Sequence, residues 1–221
     1  MHIFKTSRAR ENILSKIRRN LEGHTTPMPY PDADNEPVSA IYSIPFLSDE
    51  ENFAEAFIDA GGRFVFCDNE QELLENIYTL YENRGWKNLV CTEERVLQLF
   101  LNNKMPFVKG IENAAEDADV CVTGCEAIIS RTGSIIFSSR QFMGRTSTIF
   151  YPVHLIVAYA NQVMEDIGQA LELMNKRYGT GLPSMINVNT GPSRTADIEK
   201  TLVTGVHGPG EVFCFLINAE K

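Results

Sequence analysis

The sequence contains none of four motifs that mark common enzyme classes. No GxGxxG fingerprint, Walker phosphate loop, HExxH helix or GxSxG elbow occurs in its 221 residues. Those motifs bind a dinucleotide, cradle nucleoside phosphates, hold catalytic zinc or expose a nucleophilic serine. Their absence excludes Rossmann-type dinucleotide binding, P-loop chemistry, zinc proteolysis and the α/β-hydrolase mechanism.

Long apolar runs are also missing. None reaches the roughly 18 residues that a membrane-spanning helix needs, and the first five residues lack the apolar core of a signal peptide. The apolar share of 43% and the charged share of 22% are those of an ordinary globular protein. We therefore expect a cytoplasmic protein with no membrane span.

Positive charge is scarce. The formal net charge of −9 argues against nonspecific nucleic-acid binding, which needs a basic surface. The one basic cluster lies on the first predicted helix and consists of Lys5, Arg8, Arg10, Lys16, Arg18 and Arg19. A solvated helix face explains this cluster, and a docking surface for an acidic partner is the alternative.

The five cysteines follow no regular spacing. Cys121 and Cys125 are four positions apart, but no second pair accompanies them. The sequence therefore encodes no disulfide framework, zinc ribbon or ferredoxin-type cluster. We expect no metal or cofactor in this chain, so any redox metal would belong to a partner.

The chain divides into two regions by composition. Residues 1–47 combine a predicted helix, from about Ser7 to Glu22, with a proline-rich connector. Residues 48–221 form the predicted main domain. The N-terminal helical arm is expected to pack on that domain or on another subunit, which leaves a homo-oligomer open.

From Ser48 onward, short strands alternate with helices. Predicted strands span 63–67, 88–92, 119–123, 134–139, 147–151, 155–159, 185–189 and 211–217, and the longest predicted helix runs from Asn161 to about Tyr178. Such alternation is typical of βαβ units. The predicted fold class is therefore α/β, with a mainly parallel sheet flanked by helices.

Two Gly/Pro-rich loops suggest a binding site for a small anion. The first combines a strand end, a turn and a predicted helix start, and it carries Gly191, Ser193, Arg194, Thr195 and Asp197. The second, at 205–210, carries His207 and Gly208. Backbone N–H groups, hydroxyls, a guanidinium and an imidazole suit a carboxylate or phosphate. Ordinary helix capping is the alternative.

Two of these residues are candidates for proton transfer. His207 can act as a general acid or base, because an imidazole changes charge near neutral pH. Asp197 is expected to orient His207 or a substrate hydroxyl, or else to accept backbone N–H bonds. Bracing of the loop is the alternative role for His207. A further histidine, His154, lies at the start of a predicted strand and suits a structural role better than proton transfer.

A further group of candidates follows the strand at 119–123. Glu126, in apolar company, suits an acid, base or nucleophile, or the cap of a short turn. Arg131 can clamp an anion or lie exposed, while Thr132 and Gly133 allow close ligand approach or a tight turn. Ligands gather at the carboxyl ends of strands in open α/β sheets, so we expect these loops to converge with 191–197.

Two stretches together carry a family resemblance. Residues 122–134 followed by 150–154, and the GPSxTADIE segment at 191–199 followed by GVHGP at 205–209, resemble the lactate-utilization protein C family of LUD-domain proteins. The resemblance covers roughly residues 50–217. It implies a fold related to the sugar-phosphate isomerase and CoA-transferase group.

The same resemblance implies a function. It points to an accessory subunit that acts beside two iron–sulfur partner proteins in oxidising L-lactate to pyruvate, with the clusters in the partners. The residues add the small anionic ligand, of the lactate, phosphate or thioester class. Two alternatives stay open: a free-standing transferase or isomerase acting on a CoA thioester or sugar phosphate through Glu126, and a non-catalytic scaffold or sensor.

Overall fold

The computed structural model describes residues 7–23, 47–91, 93–110, 118–141, 147–196 and 202–218. Contacts divide the chain into two compact units, Met1–Pro45 and Phe46–Lys221. In the first unit the described residues form helix α1, Ser7–Leu21, whose side chains Ile13, Ile17 and Leu21 are exposed. The predicted proline-rich connector, apart from Leu47, lies outside the described residues.

The described residues of the second unit form five helices and twelve strands. The helices are α2 Asp49–Asp59, α3 Glu70–Arg84, α4 Glu94–Asn102, α5 Ser147–Phe150 and α6 Ile167–Tyr178. The strands are β1 Arg63–Cys67, β2 Leu89–Cys91, β3 Val108–Gly110, β4 Val120–Thr123, β5 Ala127–Ile129, β6 Ser134–Ser138, β7 Val153–Tyr159, β8 Val163–Met164, β9 Ile186–Asn189, β10 Arg194–Thr195, β11 Val203–Thr204 and β12 Glu211–Ile217.

The central sheet has six strands in the order β1-β12-β7-β4-β2-β3, and every neighbouring pair is parallel. Helices flank it, so the predicted α/β class with a mainly parallel sheet is confirmed. Strand β12, the last in the chain, lies in the interior of the sheet between β1 and β7. Its residues are apolar almost throughout, because an interior strand of a parallel sheet is buried on both faces.

A second sheet, with the order β8-β5-β6-β9, packs on one face of the first. The core between the sheets includes Ile156 and Cys214 of the parallel sheet, Ile135 and Phe137 of β6, and Phe57 of α2. The opposite face of the parallel sheet packs on α3 and α4, and α6 covers the outer face of the second sheet. The second unit is therefore layered as helices, sheet, sheet and helix.

Two predicted elements are wrong. Residues 147–151 are not a strand: α5 occupies 147–150, and pairing to β4 and β12 begins only at Val153. The helix predicted from Asn161 starts later, at Ile167. The buried Gln162 side chain accepts from the Tyr159 N–H and donates to the Cys125 carbonyl, which holds 160–162 in a 3₁₀ turn before β8 pairs with β5.

His154 is part of the core. Its side chain is 2% exposed, and its Nε2 lies 2.8 Å from the Thr123 hydroxyl. Burial lowers the pKa of this imidazole to about 3, so the ring is neutral at physiological pH. The structural role expected for His154 agrees with this position.

Helix α2 crosses the second sheet next to a glycine. Gly133 has φ +61°, and a Cβ built on it would lie 2.5 Å from the backbone carbon of Ala56 and 2.7 Å from the Cα of Phe57. A side chain at this position would push α2 away from the core between the sheets. Gly133 therefore sets the separation between that helix and the β5–β6 turn.

We predict that Gly133→Ala lowers the free energy of unfolding by at least about 3 kcal/mol, because the methyl group adds a backbone clash to the cost of positive φ. Gly85→Ala is the matched control: it has the same φ, but nothing lies within 4 Å of its built Cβ. It should cost about 1 kcal/mol. Urea unfolding measures both, and equal losses would contradict the packing argument.

Candidate functional site

The described residues line a cavity of about 300 Å³ that opens to solvent. Its walls are Thr148 and Ile149 of α5, residues 187–193 from β9 and the first Gly/Pro loop, and residues 207–209 from the second loop. This volume equals that of about ten water molecules. It is the size of a small-molecule site.

Backbone hydrogen bonds hold the two Gly/Pro loops together. The Ser193 N–H donates to the Pro209 carbonyl at 2.9 Å, and the Gly205 N–H donates to the Ser193 carbonyl at 3.0 Å. The short antiparallel pair β10–β11 continues this contact. The structure thus brings Gly191, Ser193, His207 and Gly208, all predicted site residues, to one cavity.

The first loop is also tied to the end of helix α2. A Cβ on Gly191, which has φ +69°, would lie 2.5 Å from the Ala60 carbonyl oxygen. Arg194 donates from its guanidinium to that same oxygen. Gly191 therefore lines the cavity at a place where only glycine fits, whereas Arg194 caps a helix end and does not line the cavity.

The predicted helix start at 193–197 is not observed in the described residues. Arg194 and Thr195 form β10 and pair with Thr204 and Val203. The backbone N–H groups of a helix start are therefore not available at Ser193–Thr195 to bind an anion, and Thr195 does not line the cavity. Asp197 lies outside the described residues.

The cavity lies at the amino ends of the parallel strands. Helix α5 leads into β7, and residues 207–209 lead into β12. Neither of the loops at 124–126 and 131–133 lines the cavity, although hydroxyl hydrogen bonds connect the second of them to Thr190, just before residues 191–197. The rule for open α/β sheets concerns the carboxyl ends. Here the cavity instead lies along β9, an edge strand of the second sheet.

Glu126 lies in a separate polar cluster. Its side chain is 1% exposed, accepts hydrogen bonds at 2.6 Å from Ser138 Oγ and from the Tyr178 hydroxyl, and forms an ion pair with Arg177. Burial and the nearby Glu126 carboxylate raise the pKa of Tyr178. Glu126 follows the end of β4, as predicted, but the structure gives it protein partners rather than a place in the cavity.

The residues at 131–133 also have structural partners. Arg131 forms ion pairs with Asp166 at 3.3 Å and Glu165 at 3.6 Å, at the start of α6. The Thr132 hydroxyl shares a 2.7 Å hydrogen bond with Ser134, and Ser134 shares another of 2.7 Å with Thr190. Thr190 lines the cavity, so Thr132 reaches the site only through this chain of hydroxyls.

Besides Thr190, three polar lining residues were missed by the sequence reasoning: Thr148, Asn187 and Asn189. Asn187 and Asn189 lie on one face of β9, where the alternation Asn-Val-Asn at a strand end was the available signal. Thr148 gave no signal, because its segment reads locally as a strand. These three residues add amide and hydroxyl groups to the wall.

The electrostatics of the cavity follow from its lining. Among the described lining residues, His207 is the one side chain that can carry positive charge, and neither lysine nor arginine contributes. Hydroxyls, amides and one imidazole suit a ligand with a single negative charge. Phosphate groups are bound preferentially by arginine forks or lysines.

The cysteines are remote from this chemistry. All five are buried, and none lines the cavity. Burial raises the pKa of the Cys91 thiol to about 12 and raises those of Cys67, Cys121 and Cys214. Within the described ranges, no group of three metal-ligating side chains converges, and no helix has the length and apolarity to cross a bilayer.

Known proteins resemble this chain at the level of sequence and fold. Lactate utilization protein C from Bacillus subtilis (strain 168) is 32% identical over 114 residues, which is 50% of this chain and 48% of that protein. Lactate utilization protein C from Anoxybacillus flavithermus (strain DSM 21510 / WK1) is 28% identical over 152 residues, 64% of this chain and 68% of that protein.

A solved structure supports the fold. The crystal structure of a DUF162 family protein from Deinococcus radiodurans aligns with a TM-score of 0.57 and 22% identity, covering 78% of this chain and 99% of that one. For three relatives named lactate utilization protein C, the matched segment covers 48%, 46% and 41% of their own length. The LUD domain family model matches residues 50–217. Because that match covers well over half of the chain, the protein belongs to the LUD domain family.

Proposed function

We propose that this protein is a component of a lactate utilization system and binds a small 2-hydroxy or 2-oxo monocarboxylate in the cavity. The observation that carries the proposal is the cavity itself, whose described lining residues place one imidazole among hydroxyl and amide groups and include neither lysine nor arginine. The names of the relatives supply the metabolic context.

Charge accounts for the ligand class. A monocarboxylate needs one positive or strongly polar partner, and His207 with the Ser193 hydroxyl provides it. A thioester of CoA or a sugar phosphate carries two or more negative charges. Burying those charges without cations costs far more free energy than burying one carboxylate.

The oxidation of lactate releases two electrons and two protons as the C2 alcohol becomes a ketone. We propose that two iron–sulfur partner proteins accept the electrons, as the family resemblance implies. All five thiols of this chain are buried, and for Cys67, Cys91, Cys121 and Cys214 burial raises the pKa and so favours the protonated form over the thiolate that ligates iron. The role proposed for this chain is therefore to bind and position the ligand.

We expect the purified protein to bind L-lactate or pyruvate, measured by isothermal titration calorimetry. Ser193→Ala and His207→Gln should each weaken binding about 5- to 30-fold, since each removes one hydrogen bond or charge contact. Ser184→Ala is the matched control, because this exposed serine lies outside the cavity. No binding of either acid at millimolar concentration would overturn the ligand assignment.

The partner proposal has a separate test. Affinity purification of the tagged protein from lactate-grown cells, under anaerobic conditions, should recover two cysteine-rich iron–sulfur proteins in comparable amounts. Absorbance between 400 and 450 nm and iron analysis of the eluate identify the clusters. Repeated recovery of the chain alone at low salt would contradict the proposed assembly.

A separate prediction concerns Glu126. Glu126→Gln should lower the free energy of unfolding by about 1 to 3 kcal/mol, because it removes the charge that pairs with the partly exposed Arg177. It should leave the affinity for L-lactate or pyruvate unchanged. Glu172→Gln, an exposed change on α6, controls for the loss of negative charge. If Glu126→Gln keeps full stability but loses ligand binding, Glu126 has a direct role in binding the ligand.

A further inference from the structure

Helix α1 exposes an apolar stripe along its length. Ile13, Ile17 and Leu21 follow one another at intervals of four residues, and their side chains are 58%, 48% and 64% exposed. From Arg8 to Leu21 no side chain is buried. A helix of this length is marginally stable in water, because proteins stabilise helices mainly by packing an apolar face. The stripe therefore indicates a surface that packs against a partner.

The charge of α1 defines the chemistry of that partner. The helix carries five cations and one anion, so its net charge is +4. Two copies of α1 placed side by side would repel each other, whereas an acidic surface would attract either of them. The cations are Arg8, Arg10, Lys16, Arg18 and Arg19, and the anion is Glu11.

One of these cations lies within the apolar stripe. Arg10 precedes Ile13 by three residues and Leu14 by four, so the three share one side of the helix. The acyl chains of a bilayer offer no partner for a guanidinium at that place, whereas a protein surface can supply a carboxylate. The position of Arg10 therefore favours an acidic protein surface over a membrane.

Helix α2 presents a surface of this kind. Its inner face carries Phe53 and Phe57, which are fully buried. On the outer face, Glu51 and Ile58 are exposed, with the half-buried Ala54 between them. The helix contains five carboxylates and no cation. The carboxylates belong to Asp49, Glu50, Glu51, Glu55 and Asp59.

The two helix faces match in spacing as well as in charge. Arg10 and Ile17 are seven residues apart on α1, as are Glu51 and Ile58 on α2. Seven residues make close to two helical turns, so each pair projects from one side of its helix about 10.5 Å apart. In a parallel pair of helices, Arg10 can face Glu51 while Ile17 faces Ile58. A single polar pair among apolar contacts fixes the register of packed helices.

We propose that α1 of one copy of this chain packs on the outer face of α2 of a second copy, and that two copies form a dimer by this exchange. Residues 46–221 contain 14 cations and 24 carboxylates, a net charge of −10, so the body of a second copy attracts α1. A two-fold pair makes the contact twice and closes the assembly. The inference is independent of the ligand in the cavity.

The test reverses the charge on each side of the contact in turn. Arg10→Glu alters α1, Glu51→Arg alters α2, and sedimentation velocity at low salt measures the dimerisation of the 221-residue chain. Glu51 also accepts the Ser48 N–H in the cap of α2. Ser48→Ala, which weakens the same cap but keeps the carboxylate, is therefore one control. Glu75→Arg, at an exposed acidic position on α3, controls for the change in net charge.

We expect the unaltered chain to be a dimer. Arg10→Glu and Glu51→Arg should each weaken dimerisation about 10- to 100-fold, because like charges then meet in both contacts. An equimolar mixture of the two variants should restore the dimer, since every α1 then finds an α2 of opposite charge. Ser48→Ala and Glu75→Arg should keep the dimer.

A monomeric unaltered chain overturns the inference, and its co-sedimentation with phosphatidylglycerol vesicles would assign α1 to an anionic bilayer instead. A mixture of two folded variants that stays monomeric overturns the exchange between copies. If circular dichroism shows that Glu51→Arg is unfolded, Ile17→Asp decides, because it leaves α2 unaltered. It should give a monomer, and a dimer that survives this change overturns the inference.

Discussion

The burial of apolar side chains between the two sheets is the constraint on which the rest of the structure depends. Ile156, Cys214 and their neighbours on the parallel sheet pack against Ile135 and Phe137 of β6. Because side chains alternate along a strand, this contact also sends Leu155 and Phe215 to the opposite face, where α3 and α4 cover them. A change of one residue in the register would exchange the two cores.

The cavity begins where that apolar core ends. Asn189 and Asn187 of β9 are the cross-strand neighbours of Ile135 and Phe137, so they share the face of β6 that packs on the other sheet. At the edge strand β9 this face becomes polar, and it lines the cavity instead of the core. The architecture thus places a wall of amides next to a tightly packed interior. Rigid strands carry that wall, while loops close it.

Local signals predicted the elements that depend on nearby residues. The strand at 63–67 and the parallel α/β class could be predicted, since the alternation of residue types acts over a few positions. The strand predicted at 147–151 was wrong, because β-branched side chains favour a strand only where a partner strand is available. In the structure, pairing with β12 begins only at Val153, and no short window of sequence contains that information.

The candidate site likewise combines residues that local sequence predicts with residues whose positions depend on distant contacts. Glycine, proline and histidine at 191–193 and 207–209 pointed to two loops that line the cavity, because their backbone requirements are local. The position of Arg194 could not be predicted, because its side chain bonds the Ala60 carbonyl, a contact across 134 positions of sequence. Thr148 could not be found at all, since its position on the cavity wall is a property of the folded chain. The cavity therefore differs from the predicted anion site in the feature that matters most for ligand choice. Among the described lining residues no guanidinium is present and His207 is the one side chain that can carry positive charge, which suits one carboxylate and leaves the remaining selectivity to neutral hydrogen bonds.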